Sequence, residues 1–290
     1  MQPAVAYIIG PPRSGTTLLA SMLAAGDGVL SLSEPWLAQA ILPVWRRQRF
    51  FRRMQTGGGL PRVRPPFDDR REAFARFLVA MAQRGGFSTL LIKETFRDGF
   101  RLASWNNLDL MDALVDSGAP CVAVVRDPFA VAASSIRLAA PLLWLHGWFG
   151  AAYRLLVPFV PAFRTADDVV LTAARNWVSF AAWQQRHALP IVRYEDLVRS
   201  PETTFPRVCE HLHIPFQPHM LDPRSAGRSF GGFGDPETMQ RPRPVHHEAI
   251  HRGNDLTPRQ REIVHVTCHA AAMPLGYDTA AAERAPASPG

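Results

Sequence analysis

Eight residues near the start of the chain, Gly10-Pro11-Pro12-Arg13-Ser14-Gly15-Thr16-Thr17, are of the types that bind an oxyanion. A glycine-containing turn that opens a helix aims successive backbone N–H groups at one spot, and the helix dipole adds partial positive charge there. Gly15 lets the backbone come close to a ligand. Ser14, Thr16 and Thr17 add hydroxyl donors, and Arg13 adds a full charge. The spacing from Gly10 to Gly15 matches the nucleotide-binding pattern G-x-x-x-x-G-K-[ST], but Thr16 stands where the lysine would be. That lysine normally reaches the β- and γ-phosphates of a nucleoside triphosphate, so its loss argues against ATP or GTP. A shorter anionic group, with a cation earlier in the loop, fits better. The plainer alternative is a glycine turn that only caps a helix.

A second anion site is expected around Arg126, in Val124-Val125-Arg126-Asp127-Pro128. Ser134 follows near the second turn of the next expected helix, so the two are expected to share one anion. Otherwise Arg126 pairs with Asp127 or with a helix C-terminus. Lys93, the single lysine of the chain, ends an expected strand at the same rim. It is expected either to present its charge to a ligand or to form a structural ion pair.

These residues need a scaffold, and the hydrophobic pattern supplies one. Short apolar runs at 4–9, 29–32, 89–92, 121–125 and 190–194 read as buried strands. Helical periodicity at 14–25, 36–54, 71–84, 108–115, 129–138, 166–187, 202–212 and 258–272 separates or follows them. Segment 55–66 reads as a glycine- and proline-rich loop, and 215–255 as a long one of little periodicity, a candidate lid. The alternation predicts an α/β fold, a P-loop-like parallel sheet flanked by helices on both faces. One domain is expected over 1–278, with a disordered tail at 279–290. Ligands belong at the C-terminal ends of the strands, where the unusual tripeptides fall.

Three segments, in order, resemble the motifs of the sulfotransferases that use 3′-phosphoadenosine-5′-phosphosulfate (PAPS). Pro12-Arg13-Ser14-Gly15-Thr16-Thr17 resembles the 5′-phosphosulfate loop, and Val124 to Pro128, continuing to Ser134, resembles the 3′-phosphate site. Arg193-Tyr194-Glu195-Asp196-Leu197 resembles a segment near the nucleoside. Leu256-Thr257-Pro258 and Leu275-Gly276-Tyr277 resemble the family's ending, so the resemblance spans most of residues 4–278. It implies transfer of a sulfuryl group from PAPS to a hydroxyl or amine, leaving adenosine 3′,5′-bisphosphate (PAP), with no metal. It also implies Arg13, Ser14, Gly15, Thr16, Thr17, Arg126, Ser134 and Tyr194 as nucleotide-binding residues. Arg252, beside Gly253, would close over the 3′-phosphate. The carbohydrate- and tyrosine-directed branches use a glutamate after the second strand as base, and Glu34 of Ser33-Glu34-Pro35 stands there. Read without the resemblance, Glu34 is a surface carboxylate before a helix. The resemblance implies that Lys93 helps position the acceptor or stabilises charge during transfer, although it departs from the family's Lys-Asp-Pro, being followed by Glu94-Thr95. His246 and His247 are reserve candidates for the base.

The acceptor side is less defined. Residues 139–163 are very apolar, but Pro141, Pro158, Pro161 and Arg154 argue against a membrane span. A lid or acceptor pocket, a core helix and an interfacial anchor are the three readings. They leave a small-molecule, lipid or carbohydrate acceptor open, with peripheral membrane contact under the third. The formal net charge of +7 comes from scattered arginines without a basic run, so no nucleic-acid partner is expected. Oligomeric state is left open. Three cysteines, at spacings that suit neither zinc nor a redox pair, and an N-terminus without a basic leader suggest a cytoplasmic protein. Two competing functions are a P-loop small-molecule kinase and a catalytically inactive PAP-binding protein.

Overall fold

The structure is a computed structural model describing residues 2–35, 70–98, 106–149, 165–232, 250 and 253–280. Its strands and helices, in chain order, are β1 (Ala4–Gly10), α1 (Thr16–Ala24), β2 (Val29–Ser33), α2 (Arg70–Arg84), β3 (Thr89–Thr95), α3 (Leu108–Asp116), β4 (Cys121–Val125), α4 (Pro128–Phe149), α5 (Ala166–His187), β5 (Ile191–Arg193), α6 (Tyr194–Arg199), α7 (Pro201–His211), β6 (Phe230–Gly232) and α8 (Pro258–Ala272). Short 3-10 turns occupy Pro218–Leu221, Pro223–Ser229 and Met273–Leu275. The strands form one sheet in the order β5-β4-β1-β3-β2-β6, and every pairing is parallel.

The expected doubly covered sheet is present, and its cause is visible in β1. Alternate side chains of this central strand go to opposite cores. Tyr7 and Ile9 join the cluster that includes Ile92, Val125, Trp177 and Phe180. Ala6 and Ile8 join Leu19, Leu23, Val124 and Leu197. Successive residues in a strand point to opposite faces, so a continuous apolar run demands cover on both sides.

Strand order reverses at β1. From β1 the chain crosses to β2, returns to β3 beside β1, then passes to β4 on the other flank. Such a switch opens a crevice at the carboxyl ends of the strands. The carboxyl ends of β1, β2, β3 and β4, with the residues that follow them, lie at this edge. They carry Arg13 to Thr17, Glu34, Lys93 to Arg97, and Arg126, respectively.

Several expected boundaries shift for local reasons. Helix α1 begins at Thr16 because its N-cap Gly15 has φ 90°, outside the helical region. Tyr194, expected to end a strand, instead opens α6. Helix α4 continues past Leu138 through Pro141 to Phe149. Segment 215–232, expected as loop, contains 3-10 turns and β6, which extends the sheet beyond β2. There Gly232, at φ 112°, passes where a Cβ would lie 2.1 Å from Ser33 O. Thr279, expected in the tail, is buried and hydrogen-bonded to both His265 and His269. No described helix is long and apolar enough to cross a membrane. The expected helix at 36–54, the loop at 55–66 and residues 150–163 of the apolar stretch lie outside the described residues, as do His246, His247 and Arg252.

Candidate active site

The turn after β1 leads directly into the N-terminus of α1. Ser14 N donates to Pro11 O at 3.3 Å, and Gly15 O accepts the first α1 bond from Leu19 N at 3.1 Å. Arg13 has φ 69°, a left-handed conformation unusual for a residue with a side chain. Ser14 Oγ is buried with no hydrogen-bond partner among the described residues. An orphaned hydroxyl at a helix N-terminus suits an oxyanion ligand, because burying it unpaired costs about 1–3 kcal/mol. Thr16 and Thr17 are also buried.

Two of the segments singled out in the sequence meet directly. Arg13 Nε donates to Ser134 Oγ at 2.9 Å, and Arg126 Nη1 donates to Arg13 O at 3.1 Å. The Arg126 guanidinium lies over the Tyr194 ring, 4.4 Å from its centroid. A Cβ on Gly15 would lie 2.2 Å from Tyr194 Cδ2, so only glycine fits this turn against that ring. Arg13, Gly15, Arg126, Ser134 and Tyr194 therefore form one cluster, assembled from the β1–α1 turn, the end of β4, α4 and α6. Ser134, expected to share an anion with Arg126, here accepts from Arg13.

A second cluster forms where β2 and β3 end. Lys93 Nζ lies 2.5 Å from Glu34 Oε1, Thr95 Oγ1 donates to the same oxygen at 2.7 Å, and Arg97 Nη1 lies 3.1 Å from Glu34 Oε2. Glu34 is buried, which corrects the reading of it as a surface carboxylate. Its φ of 53° lies in the left-handed region. Strained backbone at two candidate site residues, Arg13 and Glu34, is typical of functional turns. Burial alone would raise the Glu34 pKa. The charges of Lys93 and Arg97, with the Lys93 and Thr95 hydrogen bonds, outweigh it and hold the carboxyl at about 2. The group is an anion at neutral pH, with two cations on it. The ion-pair reading of Lys93 thus has its partner.

Arg97 is absent from any motif, yet its backbone and side chain are both hydrogen-bonded at this site. Arg97 N donates to Asn107 Oδ1 at 2.8 Å, and Asn107 Nδ2 donates to Thr95 O at 2.9 Å. Asn176 donates to Phe96 O through Nδ2, and its Oδ1 accepts from Asp98 N. Phe96 N donates to Gly10 O at 2.8 Å. Two asparagines thus take over from the sheet where β3 ends. A single asparagine ten or eighty positions away carries no sequence signal for that role.

Comparison with known proteins bears on the family and the fold. Residues 6–218 match the model of a family described as the sulfotransferase family. A curated relative, "Nodulation protein NoeE" of Sinorhizobium fredii, is 28% identical over 226 residues, covering 72% of this chain and 50% of the relative. The chain therefore spans about half of that relative's length. The solved "Sulfotransferase Domain from the Synechococcus PCC 7002 Olefin Synthase" superposes with a TM-score of 0.57 at 21% identity, covering 96% of each chain. The fold likeness extends over nearly the whole chain.

Proposed function

Because the chain belongs to the sulfotransferase family, we propose that it transfers a sulfuryl group from PAPS to a hydroxyl or amine of a small-molecule, lipid or carbohydrate acceptor. The observation that carries this reading is the direct hydrogen bonding of the β1–α1 turn to the Arg126–Ser134 region. A nucleotide charged at both its 5′ and 3′ positions needs two cationic sites held at a fixed separation. The β1–α1 turn suits the sulfate-bearing end, with Ser14 Oγ, Thr16, Thr17 and backbone N–H groups as donors. Arg126 suits the 3′-phosphate, and Tyr194 presents an aromatic face beside it.

In the transfer, the acceptor oxygen or nitrogen forms a bond to sulfur as the bond from sulfur to the bridging phosphate oxygen breaks. PAP leaves with that oxygen's electron pair, and the acceptor proton passes to Glu34. Lys93 neutralises charge that builds on the departing oxygen. A base with so low a pKa suits a proton that becomes strongly acidic only late, as the new bond forms. One of its lone pairs must be vacated first. Lys93, a flexible point charge, is better suited to move away than Arg97, whose backbone is pinned on both sides.

The test is thermal. PAP should raise the melting temperature, and ATP with Mg²⁺ should raise it much less. Equal shifts would favour a kinase and end this reading. A screen of acceptors with labelled PAPS, read by product mass, then identifies the acceptor; turnover of none, with PAP bound, would point to an inactive binding protein.

A further inference from the structure

The peptide unit joining Arg126 to Asp127 is gripped at both polar ends by side chains from other elements. Its carbonyl, on Arg126, accepts from Trp177 Nε1 at 2.9 Å. Its N–H, on Asp127, donates to Glu195 Oε1 at 2.9 Å. A third side chain completes the set: Tyr277 Oη donates to Glu195 Oε2 at 2.8 Å. Both carboxylate oxygens of Glu195 are thus engaged, one on the peptide and one on the C-terminal segment. The Tyr277 ring meets Trp177 edge-on at 6.2 Å and carries the Arg193 guanidinium 4.4 Å from its centroid. Trp177, Glu195 and Tyr277 are all buried.

The location explains why such a grip matters. The β4 ladder ends at Val125, opposite Arg193, so no strand pairing holds the next peptide. Without support from a neighbouring strand, ψ of Arg126 is set by what holds this peptide, and an uncompensated change in ψ turns Arg126 relative to the sheet. Arg126 leaves the sheet at this point, and its guanidinium must reach Arg13 O on one side and the Tyr194 face on the other. A rotated peptide would redirect that side chain. The two hydrogen bonds replace the missing ladder. They also avoid two unsatisfied buried groups.

We propose that Trp177, Glu195 and Tyr277 are positioning residues that orient Arg126 and thereby set selectivity for a nucleotide bearing a 3′-phosphate. The proposal rests on the reading that Arg126 meets that phosphate. Trp177 and Glu195 hold the backbone of the binding residue directly, and the C-terminal Tyr277 is tied to nucleotide recognition through Glu195.

The test compares dissociation constants of PAP and of adenosine 5′-monophosphate, which lacks the 3′-phosphate, on the full chain. Their ratio isolates the 3′-phosphate contribution. Glu195→Leu should reduce the ratio about tenfold or more while the monophosphate affinity changes about twofold at most. Glu195→Gln keeps an oxygen for Asp127 N–H and should hold the ratio within about threefold of the wild type. Tyr277→Phe deletes one oxygen and should lower the ratio about threefold; it carries the test alone if Glu195→Leu does not fold. A folded Glu195→Leu or Tyr277→Phe with an unchanged ratio, or with equal losses for both nucleotides, overturns the proposal. A wild-type chain that does not prefer PAP overturns the Arg126 reading itself, and that result is visible before any variant is made.

Discussion

Lys93 Nζ lies 2.5 Å from Glu34 Oε1, at the place where parallel strands β2 and β3 end side by side with Ser33 opposite Lys93. The next residue, Glu34, sends its N–H to Lys93 O at 2.7 Å, so backbone and side chain of the two residues are joined. Both side chains are almost fully removed from solvent. Removing one partner leaves a charge buried beside the wrong neighbours, which typically costs about 3–5 kcal/mol. Lys93→Met and Glu34→Gln should each lower the urea midpoint clearly, and the double variant should cost less than the two summed. Simple additivity in that cycle would mean the pair is not coupled.

The depressed Glu34 pKa sets a pH window. Its ordinary value is 4.5 and its folded value about 2. A lowered folded pKa means that the carboxylate's contribution to stability is complete above about pH 4.5 and fades as pH falls toward 2. The stability gap between wild type and Glu34→Gln should therefore be flat above about pH 5 and shrink below about pH 4.5. A gap that closes instead between about pH 6 and 8 would assign the effect to another group.

Turnover offers a separate reading of the same carboxylate. Glu34→Gln should retain PAP affinity within about threefold and lose about 10²–10⁴-fold in turnover. Wild-type kcat/KM should show no acidic limb from Glu34 until pH approaches 2, well below the ordinary carboxylate range. Lys93→Met removes the stronger of the two charges that oppose burial, so its limb should move upward. A Glu34→Gln enzyme with normal turnover would remove Glu34 as the base.

How much of this was legible in the sequence differs by element. The β1 run and the turn through Thr17 announced themselves, since strand, glycine turn and helix follow one another directly. Arg126 and Tyr194 were legible as motif residues, but their stacking was not, because it depends on α6 starting at Tyr194, where the apolar run suggests the strand still continues. Strand β6 was invisible: Phe230-Gly231-Gly232 has neither length nor alternation, and it pairs with β2 only because Gly232 tolerates a positive φ beside Ser33. Arg97 was missed because Asn107 and Asn176, which place it, act through backbone groups. Glu195 and Tyr277 stood in recognisable segments, yet nothing in either segment indicates that they touch each other.

Gly15 provides a steric test. Its φ is 90°, and a methyl group there would stand 2.2 Å from Tyr194 Cδ2, which leaves no room for alanine. Gly15→Ala should weaken PAP at least about tenfold, because either the turn or the Tyr194 ring must shift. Measured against Tyr194→Ala alone, because that ring also carries Arg126, the Gly15→Ala loss should recover only in part, since the contact is relieved but the positive φ is not. Full recovery would show that the ring, and not the turn conformation, was the constraint; an unaffected Gly15→Ala would remove this turn from the nucleotide site.

Arg126→Lys separates charge from shape. The guanidinium lies over Tyr194 at 4.4 Å while Nη1 donates to Arg13 O at 3.1 Å, a combination that a tetrahedral ammonium does not reproduce. Lysine keeps the positive charge but loses the flat face and the fork geometry. If shape matters, Arg126→Lys should lose nearly as much PAP affinity as Arg126→Ala, about tenfold or more, with adenosine 5′-monophosphate little changed in both. If lysine restores wild-type affinity, the site reads charge alone and the stacking on Tyr194 is incidental. Equal losses for the two nucleotides would place the 3′-phosphate elsewhere. Titration calorimetry with each nucleotide on the same preparations distinguishes these outcomes.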